Sequence, residues 1–316
     1  MNRENVKKIG IIGTGMIGTS VAVLTTSHGF DTVVLAVNEE LRQTSEKQYD
    51  KYLDDLKDQA CINEGQIAYC KQQLSYSLEY SALAACDVIF EAVVEKVDVK
   101  HEVLQKIEAS CPNVRAICSV SSALEVDVMA EKMTKYKDRL VVTHPFFPPH
   151  LVPYFEIAGG SATDESVKTF AKTLLEDLDR KPVIMKKSAP GFIGNRLQFA
   201  LWREAVNIVE QGIARPEDVD TCLLYSFCPR YSHIGLFEHM DNGGLDLNYN
   251  VSKTIFPTLS NETGVPALVS RLVEESNLGV KTGKGVYDWS QKDMTDFKQR
   301  VGAPYWKFFN WEIPSV

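Results

Sequence analysis

A chain of 316 residues can bury a large core and has room for about two domains. Its 34 Lys and Arg against 42 Asp and Glu leave a net charge of -8, and an acidic chain of this kind makes a poor nucleic-acid partner. The seven cysteines, at 61, 70, 86, 111, 118, 222 and 228, include no Cys-x-x-Cys pair and no His/Cys cluster at metal spacing, so neither a disulfide framework nor a metal site is indicated and a reducing, cytoplasmic setting fits.

Lys7 and Lys8 lead into an apolar run that Gly10, Gly13, Gly15 and Gly18 interrupt and that lacks a small-residue cleavage pattern, so no signal peptide is expected. No uninterrupted stretch is long enough to span a bilayer. Lys7 to Ile12 reads as a strand. It feeds Gly13-Thr14-Gly15-Met16-Ile17-Gly18 and then an apolar helix through Val21, Val23 and Leu24. In this order the glycines permit a tight turn and let backbone approach a pyrophosphate, while the helix N-terminus offers N–H groups to phosphate. A dinucleotide site is expected here.

Thr32 to Val37 is the next strand, and an acid at its end normally accepts the adenosine ribose hydroxyls. The residue there is Val37, followed by Asn38, which can hydrogen-bond a ribose, and Glu39. No arginine follows directly to pair a 2′-phosphate, Arg42 being the nearest, so NAD is favoured over NADP. Residues 39–72 read as two charged helices inserted in the alternating pattern.

Asp87 to Phe90 is a buried strand, followed by Glu91 to Glu95 and a helix from about Val97 to Ala109. Arg115 to Cys118 is another strand. It ends in Ser119-Val120-Ser121-Ser122, hydroxyls at the carboxyl end of a strand, where open parallel sheets bind ligands. Serines also simply terminate strands.

Val141 and Val142 lead as a short strand into His144, and Tyr154 to Ile157 reads as a second one. Prolines at 145, 148, 149 and 153 keep the connection from becoming helix, so His144 and Glu156 can face each other across a bend. A carboxylate on one ring nitrogen fixes the tautomer and makes the other a general base able to deprotonate an alcohol. The competing reading is a structural histidine in a proline-rich turn.

A helix from Asp164 to about Leu178 and a strand from Pro182 to Met185 follow, and then the composition changes. Ala189-Pro190-Gly191 is a linker into a long helix from Phe192, with apolar residues at 193, 197, 200, 201, 205, 208 and 209. No further strand–helix alternation appears. The fold class is therefore α/β, a Rossmann-type, mostly parallel sheet domain over residues 1–188 with a helical insertion near 39–72, and then an all-α C-terminal domain over 189–316.

Taken together, these motifs resemble the 3-hydroxyacyl-CoA dehydrogenase family over nearly the whole chain. Gly13 to Gly18 is similar to its NAD turn and Ser119-Val120-Ser121-Ser122-Ala123-Leu124 to its Ser-Asn-Thr-Ser-Ser-Leu loop. His144-Pro145-Phe146-Phe147-Pro148 with Glu156 resembles its His-x-Phe-Asn-Pro…Glu signature, and Pro190-Gly191-Phe192-Ile193-Gly194-Asn195-Arg196 its Pro-Gly-Phe-x-x-Asn-Arg helix start. The resemblance implies an NAD-dependent oxidation of an L-3-hydroxyacyl thioester, with His144 as base, Glu156 as its orienting acid, and Ser122 and Asn195 on the substrate oxygen. It also implies cofactor contacts from Gly13, Gly15, Met16, Ile17, Gly18, Asn38, Glu91, Lys96 and Ser119, with Lys100 nearby, and a homodimer through the C-terminal domain.

Cys228-Pro229-Arg230-Tyr231 with Gly235-Leu236-Phe237-Glu238 is similar to a segment of branches that act on free hydroxy acids, L-gulonate or carnitine. An arginine there pairs a carboxylate in a bidentate fork, and a surface arginine is the alternative. Phe147, Val120 and Val37 stand where the family has Asn, Asn and an acid. These three losses of polarity keep a third reading open, a crystallin-like dinucleotide-binding protein without catalysis.

Overall fold

The computed structural model describes residues 6–306. The chain divides into two compact units, one holding the residues up to Phe192 and those from Lys298 on, the other Ile193–Phe297. In the first unit the order is β1 (Lys8–Ile12), α1 (Met16–Ser27), β2 (Asp31–Leu35), α2 (Glu39–Asp58), α3 (Glu64–Gln72), β3 (Leu74–Ser77), β4 (Val88–Glu91), α4 (Val97–Ser110), β5 (Ala116–Ser119), α5 (Val126–Ala130), β6 (Leu140–Pro145), β7 (Tyr154–Gly159), α6 (Glu165–Asp177) and β8 (Lys181–Ile184). The second unit is helical, with α7 (Gly194–Glu210), α8 (Pro216–Tyr225), α9 (Cys228–Tyr231), α10 (Leu236–Gly243), α11 (Leu245–Ile255) and α12 (Ala267–Glu274). A last helix, α13 (Met294–Trp306), crosses back, and its Tyr305 and Trp306 pack against the core of the first unit.

The eight strands lie in the order β3-β2-β1-β4-β5-β6-β7-β8. Neighbours from β3 to β6 are parallel, β6 and β7 are antiparallel, and β8 runs with β7. The central strands are buried on both faces, which is why they read as continuous apolar runs such as Val88-Ile89-Phe90 and Leu140-Val141-Val142. Strand order reverses about β1, which has β2 on one side and β4 on the other, and this crevice at the carboxyl ends is where such sheets take ligands. The strand β3 was not expected. Its Leu-Ser-Tyr-Ser sequence sits at the sheet edge, half exposed, and carries little apolar signal.

Side chains cap the starts of α2, α3 and α6. Asn38 accepts from the Leu41 N–H at the head of α2, Asn63 and Gln66 form a capping box on α3, and Asp164 accepts from the Ser166 N–H on α6. On α6 the buried residues Val167, Phe170, Ala171, Leu174 and Leu175 recur at helical spacing and cover the sheet. Among the described residues of the second unit, Val206 is the one buried apolar side chain, whereas Leu197, Phe199, Trp202, Phe237 and Phe256 are exposed. No helix among the described residues is long and apolar enough to cross a membrane.

The bend between β6 and β7 is tied to the dinucleotide helix by a buried histidine. The Ser20 hydroxyl meets Nδ1 of His150 at 2.6 Å and accepts the His150 backbone N–H at 3.0 Å. The Arg180 guanidinium, also buried, donates to the carbonyls of Leu178, Pro149 and His150. Burial, and then the charge of Arg180, hold the His150 imidazole down at about 3.

A group depressed in the folded state binds its proton more readily once unfolded. The stability it allows is therefore present above the unfolded value near 6.5, and is lost as pH falls from there toward about 3. Stability should accordingly decline on acidification below about 6.5, by up to about 1.4 kcal/mol per pH unit from this one group. In His150→Asn the decline between pH 6.5 and 5 should flatten, although the variant is less stable at neutral pH. Urea unfolding at a series of pH values checks this, and parallel slopes for the two proteins would refute it.

Candidate active site

The turn after β1 is built for close backbone approach. Gly13 has φ +124°, and a Cβ there would lie 2.3 Å from the Ala92 carbonyl oxygen; a Cβ on Gly18 would lie 2.1 Å from the Gly13 carbonyl oxygen. Those two glycines let helix and strand pack. Gly15 differs, since it is the N-cap of α1 in extended conformation and a Cβ on it would meet nothing within 4 Å. The space in front of Gly15 is thus open, beside the first N–H groups of a 12-residue helix, and a dinucleotide pyrophosphate fits it. Met16 is exposed at this lip, Ile17 packs inward, and Asn38 sits past β2 with its Oδ1 taken by the α2 cap.

Next to the turn, a fully buried ion pair joins the end of β4 to α4. Lys100 Nζ donates to both carboxylate oxygens of Glu91 at 2.9 Å, and both side chains are 0% exposed. Glu91 also accepts from the Val93 N–H at 2.9 Å and from the Ser119 hydroxyl at 2.6 Å, which binds the end of β4 to the end of β5. Removing one partner of such a pair costs about 3–5 kcal/mol because the other charge stays buried. Lys96, by contrast, is the exposed N-cap residue of α4.

Glu95 holds the serine loop. One oxygen accepts the Ser121 hydroxyl and the backbone N–H groups of Ser122, Ala123 and Leu124 at 3.2, 3.0 and 3.2 Å, and the other lies 3.5 Å from Lys100 Nζ. Burial alone would raise this carboxyl, but the Ser121 hydrogen bond, the Lys100 charge and the backbone donors bring it below the ordinary range. Ser122 is left exposed at the carboxyl end of β5.

On the neighbouring strand, the β5–β6 register sets Ser119 opposite Val142, so His144 emerges at the same end of the sheet as the serine loop. The β6–β7 register pairs His144 with Glu156 directly, and the imidazole Nδ1 donates to Glu156 Oε2 at 2.8 Å. Glu156 is 0% exposed. Its other oxygen accepts from the Tyr154 hydroxyl at 3.3 Å, and burial, together with the Glu156 charge, pushes that phenol up to about 12, so it remains a donor. Phe146 meets both rings edge-on, at 5.7 Å from His144 and 5.7 Å from Tyr154, and Phe192 lies 5.2 Å from His144. Phe192 takes a φ of +47°, a conformation in which a bulky side chain is strained, right after Gly191 at φ +77°.

The first unit therefore brings together Gly13, Gly15, Gly18, Glu91, Ser119, Ser122 and His144 at the carboxyl ends of β1, β4, β5 and β6, with Glu156 beside His144 on the antiparallel β7. Asn195 and Arg230 belong to the second unit, Asn195 in the first turn of α7 and Arg230 in α9. Arg230 Nη1 donates to Nε2 of His239, whose Nδ1 faces the Tyr231 hydroxyl at 3.3 Å, and Arg230 has no carboxylate partner among the described residues. Glu95, Tyr154 and Phe192 were not foreseen as site residues. A signal existed for Lys100, which shares the inward stripe of α4 with Val103, Leu104 and Ile107, and for Tyr154, two residues from Glu156 on the same strand face.

Two glycine variants separate cofactor contact from packing. Gly15→Ala should fold with an unchanged melting temperature yet bind NADH at least about tenfold more weakly, because its methyl fills the open approach. Gly18→Ala should instead lose about 1–3 kcal/mol of stability through collision with the Gly13 carbonyl. Differential scanning fluorimetry and NADH fluorescence titration distinguish them, and unchanged NADH affinity in Gly15→Ala would count against a pyrophosphate site at this turn.

Comparison with known proteins agrees with this arrangement. The model of the 3-hydroxyacyl-CoA dehydrogenase NAD binding domain matches residues 8–188, and that of the 3-hydroxyacyl-CoA dehydrogenase C-terminal domain matches 191–289. The chain is 31% identical over 206 residues to a 5-formyl-3-hydroxy-2-methylpyridine 4-carboxylate 5-dehydrogenase of Mesorhizobium japonicum, a match covering 65% of this chain and 66% of that protein. An L-carnitine dehydrogenase of Oceanobacillus iheyensis is 30% identical over 287 residues, 87% of this chain and 90% of that one. Among solved structures, a 5-formyl-3-hydroxy-2-methylpyridine 4-carboxylic acid 5-dehydrogenase described as an NAD+-dependent dismutase superposes with a TM-score of 0.85 at 25% identity, over 96% of both chains. The (S)-3-hydroxybutyryl-CoA dehydrogenase of Ralstonia eutropha does so with a TM-score of 0.74 at 27% identity, over 91% of this chain and 100% of that one. A Rossmann-type sheet with a dinucleotide cradle, a histidine–glutamate pair at its carboxyl edge and a helical second unit thus belong to a chain of the 3-hydroxyacyl-CoA dehydrogenase family, an oxidoreductase that uses NAD.

Proposed function

We propose that this protein oxidises the 3-hydroxyl of an L-3-hydroxyacyl substrate to the 3-keto product. The observation that carries the reading is the 2.8 Å contact between His144 Nδ1 and a fully buried Glu156, at the sheet end shared with the glycine turn. Because Glu156 accepts the Nδ1 hydrogen, Nε2 of His144 is the basic nitrogen. His144 takes the hydroxyl proton as the C3–H bond breaks, and Glu156 favours the imidazolium that results. Bound NAD supplies the acceptor for the departing hydride. Ser122 holds the substrate oxygen, and in reverse it polarises the ketone. Glu91, Glu95 and Lys100 keep the serine loop in register with the cofactor cradle, a role that rests on their contacts with Ser119 and Ser121 to Leu124.

Two forms of substrate are in view. A coenzyme A thioester such as 3-hydroxybutyryl-CoA is supported by the family and would place the protein in fatty acid metabolism. A free 3-hydroxy acid is the form we favour, because the relatives include L-carnitine dehydrogenases and because Arg230 is an exposed guanidinium held by His239 without a carboxylate partner among the described residues. The setting is the cytoplasm, and the small-molecule substrate needs neither nucleic acid nor membrane. Large exposed side chains on the second unit, among them Leu197, Phe199, Phe237 and Phe256, support a homodimer formed through it.

His144→Ala should lower kcat by about a hundred- to ten-thousandfold while leaving NADH binding intact, read from NADH formation and from fluorescence titration. Undiminished turnover would end this reading. A panel of 3-hydroxyacyl-CoA thioesters and free 3-hydroxy acids decides the substrate form, and Arg230→Ala should raise KM for acids alone. Sedimentation at micromolar concentration should show a dimer, and a monomer would contradict the assembly.

A further inference from the structure

The segment that leaves β2 lies beside the glycine turn, because the Gly13 N–H donates to the Leu35 carbonyl at 3.3 Å and β1 pairs with β2 up to Ile12 and Leu35. In a dinucleotide fold the residue just past this strand meets the adenosine ribose. A carboxylate there does two separate things: it accepts hydrogen bonds from the ribose diol, and it repels a 2′-phosphate. Here that residue is Val37, 83% exposed, with neither an acceptor nor a charge.

Neighbouring groups do not replace the missing acid. Asn38 Oδ1 already accepts the Leu41 N–H at 2.9 Å, so what its side chain has left for the diol is a neutral, shared acceptor in place of the charged one that a carboxylate gives, and it carries no charge to repel a 2′-phosphate. Glu39 is clamped by Arg42, whose Nε lies 3.0 and 2.8 Å from its two oxygens and whose Nη2 lies 2.8 Å from one of them. The Arg42 hydrogen bond and then that of Gln43 hold the Glu39 carboxyl down at about 2. Arg42 itself is shared with Glu46 at 3.0 Å, so it is not a dedicated phosphate partner either.

We infer that Val37 makes this chain a weak discriminator of its dinucleotide: it takes NADP(H) nearly as well as NAD(H), by giving up the ribose contacts rather than by building a phosphate pocket. Parity comes from weakness on both sides. NADH loses the charge-assisted hydrogen bonds to its diol, and NADPH escapes the repulsion that an acid at this position would impose. Restoring the acid should act on the two in opposite directions. A charge-assisted hydrogen bond of ordinary strength corresponds to about ten- to a hundredfold in affinity.

The experiment is a fluorescence titration of the purified full-length protein with NADH and with NADPH, without substrate and at one ionic strength, on the wild type, Val37→Asp and Val37→Ala. The wild type and Val37→Ala should bind both nucleotides with dissociation constants within about tenfold of each other. Val37→Asp should tighten NADH by about tenfold or more and weaken NADPH, for a selectivity of at least about a hundredfold. A wild type that already prefers NADH by a hundredfold overturns the inference, as does a Val37→Asp variant whose selectivity is unchanged. Should Val37→Asp lose its melting transition, Val37→Glu is titrated in its place, and the same two outcomes apply. Because no substrate is present, an error in the proposed reaction leaves this measurement untouched, and failure to bind either nucleotide overturns the inference together with the cofactor cradle.

Discussion

The antiparallel seam between β6 and β7 is the constraint on which the site depends. Every neighbouring pair from β3 to β6 is parallel, and a parallel pair needs a long crossover that cannot place residues twelve apart side by side. Reversing the chain through the proline-rich bend makes His144 and Glu156 a directly opposed cross-strand pair. Their hydrogen bond is thus a property of backbone register rather than of side-chain search, and a slip of one residue would send the two groups to opposite faces. The rings of Phe146 and Phe192 then flank the imidazole, and Tyr154 backs Phe146.

Around that seam the loops are held by carboxylates, two of them buried, Glu91 and Glu108, and one, Glu95, partly open to solvent. Glu91 gathers Lys100, Ser119 and the Val93 N–H, and Glu95 gathers the N–H groups of the serine loop. On the far side of α4, Glu108 receives the N–H groups of Thr134, Lys135 and Tyr136 in the same manner. Each converts a bend that would expose orphan donors into a satisfied anion site, which lets short connections stay ordered without secondary structure of their own. A site assembled from strand ends needs such anchors because its residues come from four separate connections.

Much of this was legible in the residues. The glycine turn declared itself because its spacing is dictated by close approach, and His144 with Glu156 because prolines exclude helix between two β-rich runs. Strand β3 was not, since an edge strand of alternating serines carries almost no apolar pattern. The buried state of Lys100 was obscured by its neighbour: Lys96 and Lys100 differ little as letters, and only the helical phase of Val103, Leu104 and Ile107 assigns one to solvent and the other to Glu91. Tyr154 escaped notice because a hydroxyl pointed at a carboxylate two residues away depends on strand pleat, which a residue list shows only once the strand is accepted.

The return of α13 to the first unit changes what severing the backbone would accomplish. With Tyr305 and Trp306 seated on the core of the first unit, the helical unit is strung between two points of the sheet unit's own chain rather than hung from its end. A protease that nicks the Gly191 region leaves the pieces moored by the terminal helix, and a gene truncated after 297 would strip a patch from the sheet unit's core rather than merely trim a tail. For anyone dividing the protein into expressible halves, the sheet unit is a discontinuous stretch, and its natural complement is an excised loop of 193–297.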